Sequence, residues 1–373
     1  MSGPNAFKVI AAGLLTTVQD LGRPGYRSAG VTESGALDGL ALRLGNWLLL
    51  NNANAAALEI TSLGPVLQAL RTCALCIAGA DLGATLNGEP LPRWEVVQAV
   101  PGDRIGFSGV VAGCRAYLCV AGGIDVPPVL GSRSTDLLSH LGGIDGRQLV
   151  AGDLLPAGRP SRPVVSLIGR RLPAVFQPDY PATLTARVVI GPQAEHFTAA
   201  GLETLLGSEY VVGADSNRSG VRLEGPAIAH SALGPDIISD GLPLGAVQVP
   251  QSGQPIVLLA GRQTMGGYAK IATLLSGDVW RLAQLRPGDR VRFTAVSLSE
   301  AHRIAWDSEA FLARAHRDLI SLPAAGPRPA AAPAVATASP APTLSTPAAG
   351  APVHRLKVRL AGREYDVVVQ EES

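Results

Sequence analysis

Lysine is almost missing from this chain of 373 residues: Lys8, Lys270 and Lys357 stand against 28 arginines. Neither sign of charge is in surplus. With 31 basic and 30 acidic residues the net charge is +1, which gives no electrostatic reason to seek nucleic acid or an anionic membrane. No run reaches the roughly eighteen apolar residues needed to span a bilayer, and Met1-Ser2-Gly3-Pro4-Asn5 is not a basic region leading into a long apolar one. The expected location is therefore the cytoplasm. Cysteine is scarce too. Cys73 and Cys76 are spaced as a Cys-x-x-Cys pair, but they and Cys114 and Cys119 lie in apolar, strand-like text. Residues three or five apart on a strand face opposite ways, so buried thiols are expected rather than a metal site or a disulfide. The six histidines are scattered, and no nucleophile elbow, Walker A loop or His-Glu-x-x-His motif occurs. Those absences remove every familiar form of self-contained active site.

What is present is apolar mass and turn chemistry. The chain is 47% hydrophobic and long enough for two or more domains, and it carries 43 glycines and 29 prolines. The text is mostly β. Val96 to Val100 suits a strand, Pro101-Gly102-Asp103-Arg104 supplies a turn, and Ile105-Gly106-Phe107 follows as a strand. Pro287-Gly288-Asp289-Arg290 leads in the same way into Val291-Arg292-Phe293, and the phrase Gly-Pro follows a strand at both Gly64 and Gly225, so two related barrels are expected. Helices are few. One spans Leu37 to Leu50, with Leu37, Leu40, Leu44, Trp47 and Leu48 at helical spacing and Asn51-Asn52 closing it. Another runs from a cap at Ser299 to Ile320, with Ile304, Phe311, Leu312, Ala315 and Leu319 along one side. The first barrel ends by residue 156, and the second, with its helix, covers 164–320. Residues 322–353 are rich in proline, alanine, serine and threonine and read as an extended linker. Leu356, Val358 and Leu360, then Tyr365, Val367 and Val369, alternate as the two strands of a hairpin.

The polar groups that chemistry would need gather in three places. Asp20, Arg23 and Asp38 surround the first helix. They can meet a carboxylate or phosphate, or serve only to hold a loop, and Asp38 can cap the helix start. Arg133, within Gly131-Ser132-Arg133-Ser134-Thr135-Asp136, sits in a loop suited to an anion or to structure alone. From Asp240 to Lys270 the chain packs acid, amide, guanidinium, hydroxyl and ammonium groups between glycines: Asp240, Gln248, Arg262, Gln263, Thr264 and Lys270. A lysine kept there by so arginine-rich a chain points to a need for a compact ammonium, or is a plain surface lysine. Asp240 is the candidate for handling a proton or binding an amide, or else it caps a turn.

Three phrases together carry a resemblance: Gln19-Asp20-Leu21-Gly22-Arg23, the 131–136 loop, and Arg262-Gln263-Thr264-Met265-Gly266-Gly267-Tyr268. They resemble the second-subunit half of the allophanate hydrolase and biotin-dependent carboxyltransferase family, the group that contains the C subunit of bacterial 5-oxoprolinase. The resemblance covers roughly residues 8–295. It implies two tandem cyclophilin-like β-barrels. It also implies one subunit of a heteromeric, ATP-dependent enzyme that opens 5-oxoproline to glutamate with A-like and B-like partner subunits, ATP being held by the assembly. Two alternatives stay open, a carboxyltransferase component acting on urea or a related amide, and a non-catalytic partner of a kinase-inhibitor-like subunit. The site it implies uses Asp240, Lys270 and Arg218 for chemistry. Asp20, Arg23, Asp38, Arg133, Gln248, Arg262, Gln263 and Thr264 would bind the substrate. Arg218 stands in Ser216-Asn217-Arg218-Ser219-Gly220-Val221-Arg222, which is similar to a family phrase in which Arg222 is the more structural residue. The family pattern has an aspartate where this chain has Gly261. The tail resembles the opening of biotin carrier domains but holds no Met-Lys-Met turn, so no biotin is expected on this chain, and a truncated carrier or a docking element is the reading of 354–373.

Overall fold

The computed structural model describes residues 3–323, Gly326 and the backbone of two strands, Val353–Leu360 and Arg363–Gln370. The chain divides into two units, 1–328 and 329–373. In the second unit the two strands pair antiparallel, with Val353 opposite Gln370 and Leu360 opposite Arg363, which is the hairpin the alternation anticipates. The linker and the attachment question lie outside the described residues.

The first unit is mostly β, with four α-helices among its described residues: α1 (Gly39–Leu48), α2 (Ala199–Gly207), α3 (Ser276–Leu282) and α4 (Leu298–Ile320). Its N-terminal half is a pair of sheets, six-stranded and five-stranded, rather than one continuous closed ladder. Phe7, Val9, Leu67 and Ile105 from the first sheet meet Leu58, Ile60, Leu75, Ile77 and Leu118 from the second in one buried cluster. The C-terminal half is a closed barrel of seven strands, in which Thr183–Ile190 and Arg290–Ala295 run parallel and close the ring. A separate two-stranded ribbon, Asp236–Gly241 with Met265–Tyr268, stands beside it.

The repeated turn phrase is a hydrogen-bonding device, and it occurs three times. Gly102, Gly152 and Gly288 have φ of 96°, 97° and 91°, conformations that only glycine adopts without strain. The aspartate after each folds back. Asp103, Asp153 and Asp289 accept from the backbone N–H of Val100, Val150 and Arg286 at 2.7, 2.8 and 2.8 Å. Each turn then exchanges two backbone bonds with a neighbouring strand at Ala69, Val9 or Val212. The phrase at 151–153 extends the two turns visible in the sequence.

The helices differ from their expected limits at the caps. α1 begins at Gly39 because the Asp38 carboxylate accepts from the Ala41 N–H at 2.9 Å, leaving Leu37 outside the helix and buried in the core of the barrel. Its C-terminal end is closed by Leu49, while Asn51 donates to Asn46 Oδ1 at 3.0 Å. α4 is capped by Ser297, two residues before the expected Ser299, through a bond from the Glu300 N–H. This helix joins the halves: Ala301 and Ile304 pack near the barrel, whereas Ala315 and Leu319 lie with α1 against the outer face of the five-stranded sheet. The four cysteines are free and buried, with Cys73 in the inter-sheet core and Cys76 on the opposite face under α1. No helix among the described residues is long and apolar enough to cross a membrane.

Candidate functional site

Of the three polar groups, two are occupied in holding the structure together. Asp20 is saturated. Its Oδ1 accepts from Ser132 Oγ and Ser134 Oγ at 2.6 Å and from the Gly22 N–H at 2.8 Å, and Oδ2 accepts from the Arg133 N–H at 2.6 Å. Arg23 is fully buried and donates from Nη2 to the Ser134 carbonyl, so it reaches the same loop as Asp20, and its Nε and Nη1 have no hydrogen-bond partner among the described residues. Burial lowers its pKa from the ordinary arginine value. Arg133 points elsewhere: its guanidinium donates to Asp125 and to the Val126 carbonyl, both at 2.8 Å, which is the loop-holding alternative.

The second group is a buried seam between the halves. Glu59, on the strand Ala57–Thr61, forms an ion pair with Arg218 of the C-terminal half. Its Oε2 also accepts from the Leu37 N–H at 2.8 Å and from Tyr117 at 2.7 Å, and Arg218 Nη2 donates to the Gly35 carbonyl at 2.5 Å. Burial lowers the Arg218 pKa to about 10. Asp38 lies alongside. Beyond its helix bond it accepts from Gln284 at 2.7 Å and from Tyr180 at 3.2 Å. Burial outweighs these bonds and pushes the Asp38 carboxyl up to about 6. Gln284 in turn accepts from the Cys114 and Arg115 N–H groups, so one side chain stitches α1, the sheet and the barrel together. Sequence reasoning missed Glu59, Tyr117 and Gln284. A lone acid between Leu58 and Ile60 in a strand was the available signal for Glu59.

The third group brings Asp240 and Lys270 together. Lys270 opens the barrel strand Lys270–Leu274, and its Nζ meets Asp240 Oδ2 at 3.0 Å. The pair is lopsided: the lysine side chain is 2% exposed and the aspartate 56%. The hydrogen bond from Lys270, then the Gly241 N–H at 2.7 Å, then the lysine charge hold the Asp240 carboxyl below the usual carboxylate range. Gln248 supports the strand by donating to the Tyr268 carbonyl at 3.1 Å. Arg262 is buried at the foot of the ribbon, donating to the Leu242 carbonyl at 2.7 Å and to Glu33 at 3.0 Å. Arg27, from the N-terminal half, grips the same foot through the Leu242 and Thr264 carbonyls. Thr264 thus contributes its backbone, and Gln263 is exposed. Arg218 belongs to the seam and has no bond to Asp240 or Lys270.

Two cavities lie elsewhere. A cleft of about 950 Å³ runs between α1, α3 and α4, and among its charged lining residues Arg187 and Asp278 are bonded to each other at 2.6 Å. A smaller one of about 300 Å³ is lined by Asp136, Arg218 and Gly261 at the meeting of the halves. At Gly261 a Cβ would stand 3.0 Å from the Arg218 carbonyl oxygen, which accounts for a small residue there. Neither cavity is lined by Asp240 or Lys270, where a dry ammonium faces a solvent-accessible carboxylate.

Two β halves are thus locked by a buried seam, with the Asp240–Lys270 ion pair on the second. The model for the carboxyltransferase domain, subdomains A and B, matches residues 29–295, and the chain belongs to that family. Within it the chain is 39% identical over 305 residues to the 5-oxoprolinase C subunit of Escherichia coli (strain K12), covering 82% of this chain and 96% of that one. It is 36% identical to the protein of the same name from Haemophilus influenzae, covering 81% and 94%. Among solved structures it resembles the K. lactis urea amidolyase at a TM-score of 0.78 and 30% identity, covering 84% of this chain but only 20% of that one.

Two measurements test the seam. Arg218→Met strands a buried carboxylate at Glu59 and should cost about 3–5 kcal/mol in urea denaturation. Glu59→Gln combined with Arg218→Met should recover part of that loss, and strictly additive losses would show that the two do not act as a pair. Asp38 sets a pH dependence. An ordinary aspartate releases its proton near about pH 3.9, whereas the folded chain keeps it to about 6, so this group's contribution is full below the first value and is lost as pH rises through the second. Asp38→Asn should therefore flatten the stability curve between about pH 4 and about pH 7. Parallel curves for the two proteins would reject the shift.

Proposed function

We propose that the chain is the C subunit of an ATP-dependent 5-oxoprolinase, working in the cytoplasm with A-like and B-like subunits to hydrolyse 5-oxo-L-proline to L-glutamate. The observation that supports this reading most is the match to nearly the whole of the E. coli protein. The chemistry is assigned to Asp240 and Lys270. A lactam offers a carbonyl oxygen that gains negative charge on attack and an N–H that donates. The Lys270 ammonium fits the first and the ionised Asp240 carboxylate fits the second. Because Asp240 is exposed, it can shift toward the ligand and free one of the lysine's donors, whereas the buried lysine stays in place.

ATP, when bound by the assembly, would supply a phosphoryl group to the amide oxygen and so make the carbonyl carbon a better electrophile, the ring nitrogen remaining the group that departs. The residues around Lys270 do not fit a triphosphate by themselves. They offer one ammonium already bonded to a carboxylate, with no glycine-rich loop opening a helix. No step on this chain is therefore assigned to the nucleotide. A second reading, a carboxyltransferase component acting on urea or a related amide, draws support from the likeness to the urea amidolyase, of which this chain spans about a fifth.

The deciding assay measures ATP turnover with 5-oxoproline and with urea, for the chain alone and with its partner subunits. The chain alone should be nearly inactive and the assembly should respond to 5-oxoproline. Robust hydrolysis by the isolated chain would defeat the subunit reading, and a response to urea alone would favour the second. In the assembly, Lys270→Met should lower turnover by about 10²–10³-fold, as loss of an oxyanion partner does. Lys270→Arg should rescue poorly, since a planar fork does not replace a compact ammonium in a buried slot. Near-wild-type turnover in Lys270→Met would remove this residue from the site.

A further inference from the structure

The backbone of Lys270 lies where the barrel ladder gives out. The strand Thr183–Ile190 pairs with Lys270–Leu274 only as far as Ile190 opposite Ala272, and on the other side the register slips between Val247 and Gln248, just where Gln248 meets Lys270. A strand end of this kind leaves an N–H in need of an acceptor.

The segment after Ile190 supplies one. Gly191 donates to the Ile271 carbonyl at 2.7 Å and passes so close to the strand that a Cβ there would stand 2.3 Å from the Lys270 carbonyl oxygen. Only glycine fits that crossing. Two residues on, Gln193 is half-buried, and its Oε1 accepts from the Lys270 N–H at 3.2 Å. With Oε1 turned to the backbone, the amino end of the amide is the remaining donor, and the side chain is the smallest of the causes that hold the Asp240 carboxyl below the usual range. One amide is therefore bonded to the backbone of Lys270 and bears on Asp240 as well.

We propose that Gln193 is a positioning residue of this site, its side chain standing in for the missing strand neighbour of Lys270. The inference rests on the reading of Asp240 and Lys270 as the reacting pair. Its consequence is that the direction of the buried ammonium is set from the 191–193 turn, outside the 240–270 segment that carries the charges.

Two variants separate the two ends of the amide. Gln193→Ala removes both, so hydrogen exchange of the Lys270 amide in the full chain should accelerate by about tenfold or more, the worth of one hydrogen bond, while the Ala272 and Leu274 amides keep their protection. In the assembly the same variant should lower kcat by about tenfold with KM little changed. Gln193→Glu keeps an oxygen for the Lys270 N–H but sets a second carboxylate against Asp240. It should retain the Lys270 protection and still lose kcat. Wild-type exchange at Lys270 in Gln193→Ala, or kcat within twofold of wild type in both variants, would overturn the proposal. Lys270→Met serves as the control on the site itself. Its full activity would overturn the site and with it the role of Gln193, whereas an inactive Lys270→Met beside a fully active Gln193→Ala would remove Gln193 alone.

Discussion

The contact between Glu59 and Arg218 is the constraint on which the arrangement of this unit depends. Each charge comes from a different half, both are buried, and neither has water to fall back on. A buried pair of this kind is weak evidence for stability, since an apolar pair of the same shape can do as well. It is strong evidence for register. Glu59 also receives the Leu37 N–H and the Tyr117 hydroxyl, so it fixes the chain that leads into α1, and Leu37 is thereby sent into the barrel core. Asp38 then starts the helix and accepts from Gln284 across the seam. Sliding one half by a single residue would leave several buried polar groups without partners at once.

That rigidity reaches the ion pair through the foot of the ribbon. Arg27 from one half and Arg262 from the other converge on the Leu242 carbonyl, and Glu33 lies against both guanidiniums. The foot is fixed while Ile238, in the irregular middle of the same strand, is 95% exposed. Asp240 sits between these extremes, tethered yet accessible, and Lys270 lies beneath it on the barrel wall. An anchored cation with a movable counter-ion suits a site that must exchange one partner for another during a reaction.

Much of this was legible in the sequence, and the parts that were not share a cause. Turn chemistry is local, so Pro-Gly-Asp at 101–103 and 287–289 could be read directly, as could the alternation of the tail hairpin. The cap of α4 falls two residues before its expected place because Ser297 and Ser299 offer the same chemistry and only the backbone bond to Glu300 chooses between them. The segment from Asp240 to Lys270 is recognisably polar in sequence, and the structure joins its two ends. Arg218, grouped with them in sequence, went to Glu59, and Arg133 went to Asp125, because the partner of a guanidinium is set by the fold and can lie anywhere in the chain. Glu59, Gln284 and Gln193 were missed for the same reason, each reaching a partner 58 or more residues away.

The lopsided burial of the ion pair also bears on why this chain should need company. Stabilising charge on an amide oxygen is effective where water is excluded and the donors are fixed beforehand. Lys270 meets the second condition, enclosed on the barrel side with its backbone held by Gln193. The first is met on one side only, because the Asp240 carboxylate opens to solvent. Solvent on that face would screen the attraction between ammonium and substrate oxygen and supply competing donors. The missing wall must come from the ligand or from another protein surface, and a molecule as small as a lactam covers little. If Asp240 and Lys270 react as proposed, a partner surface that seals the open face would strengthen the pull of the ammonium on a substrate oxygen.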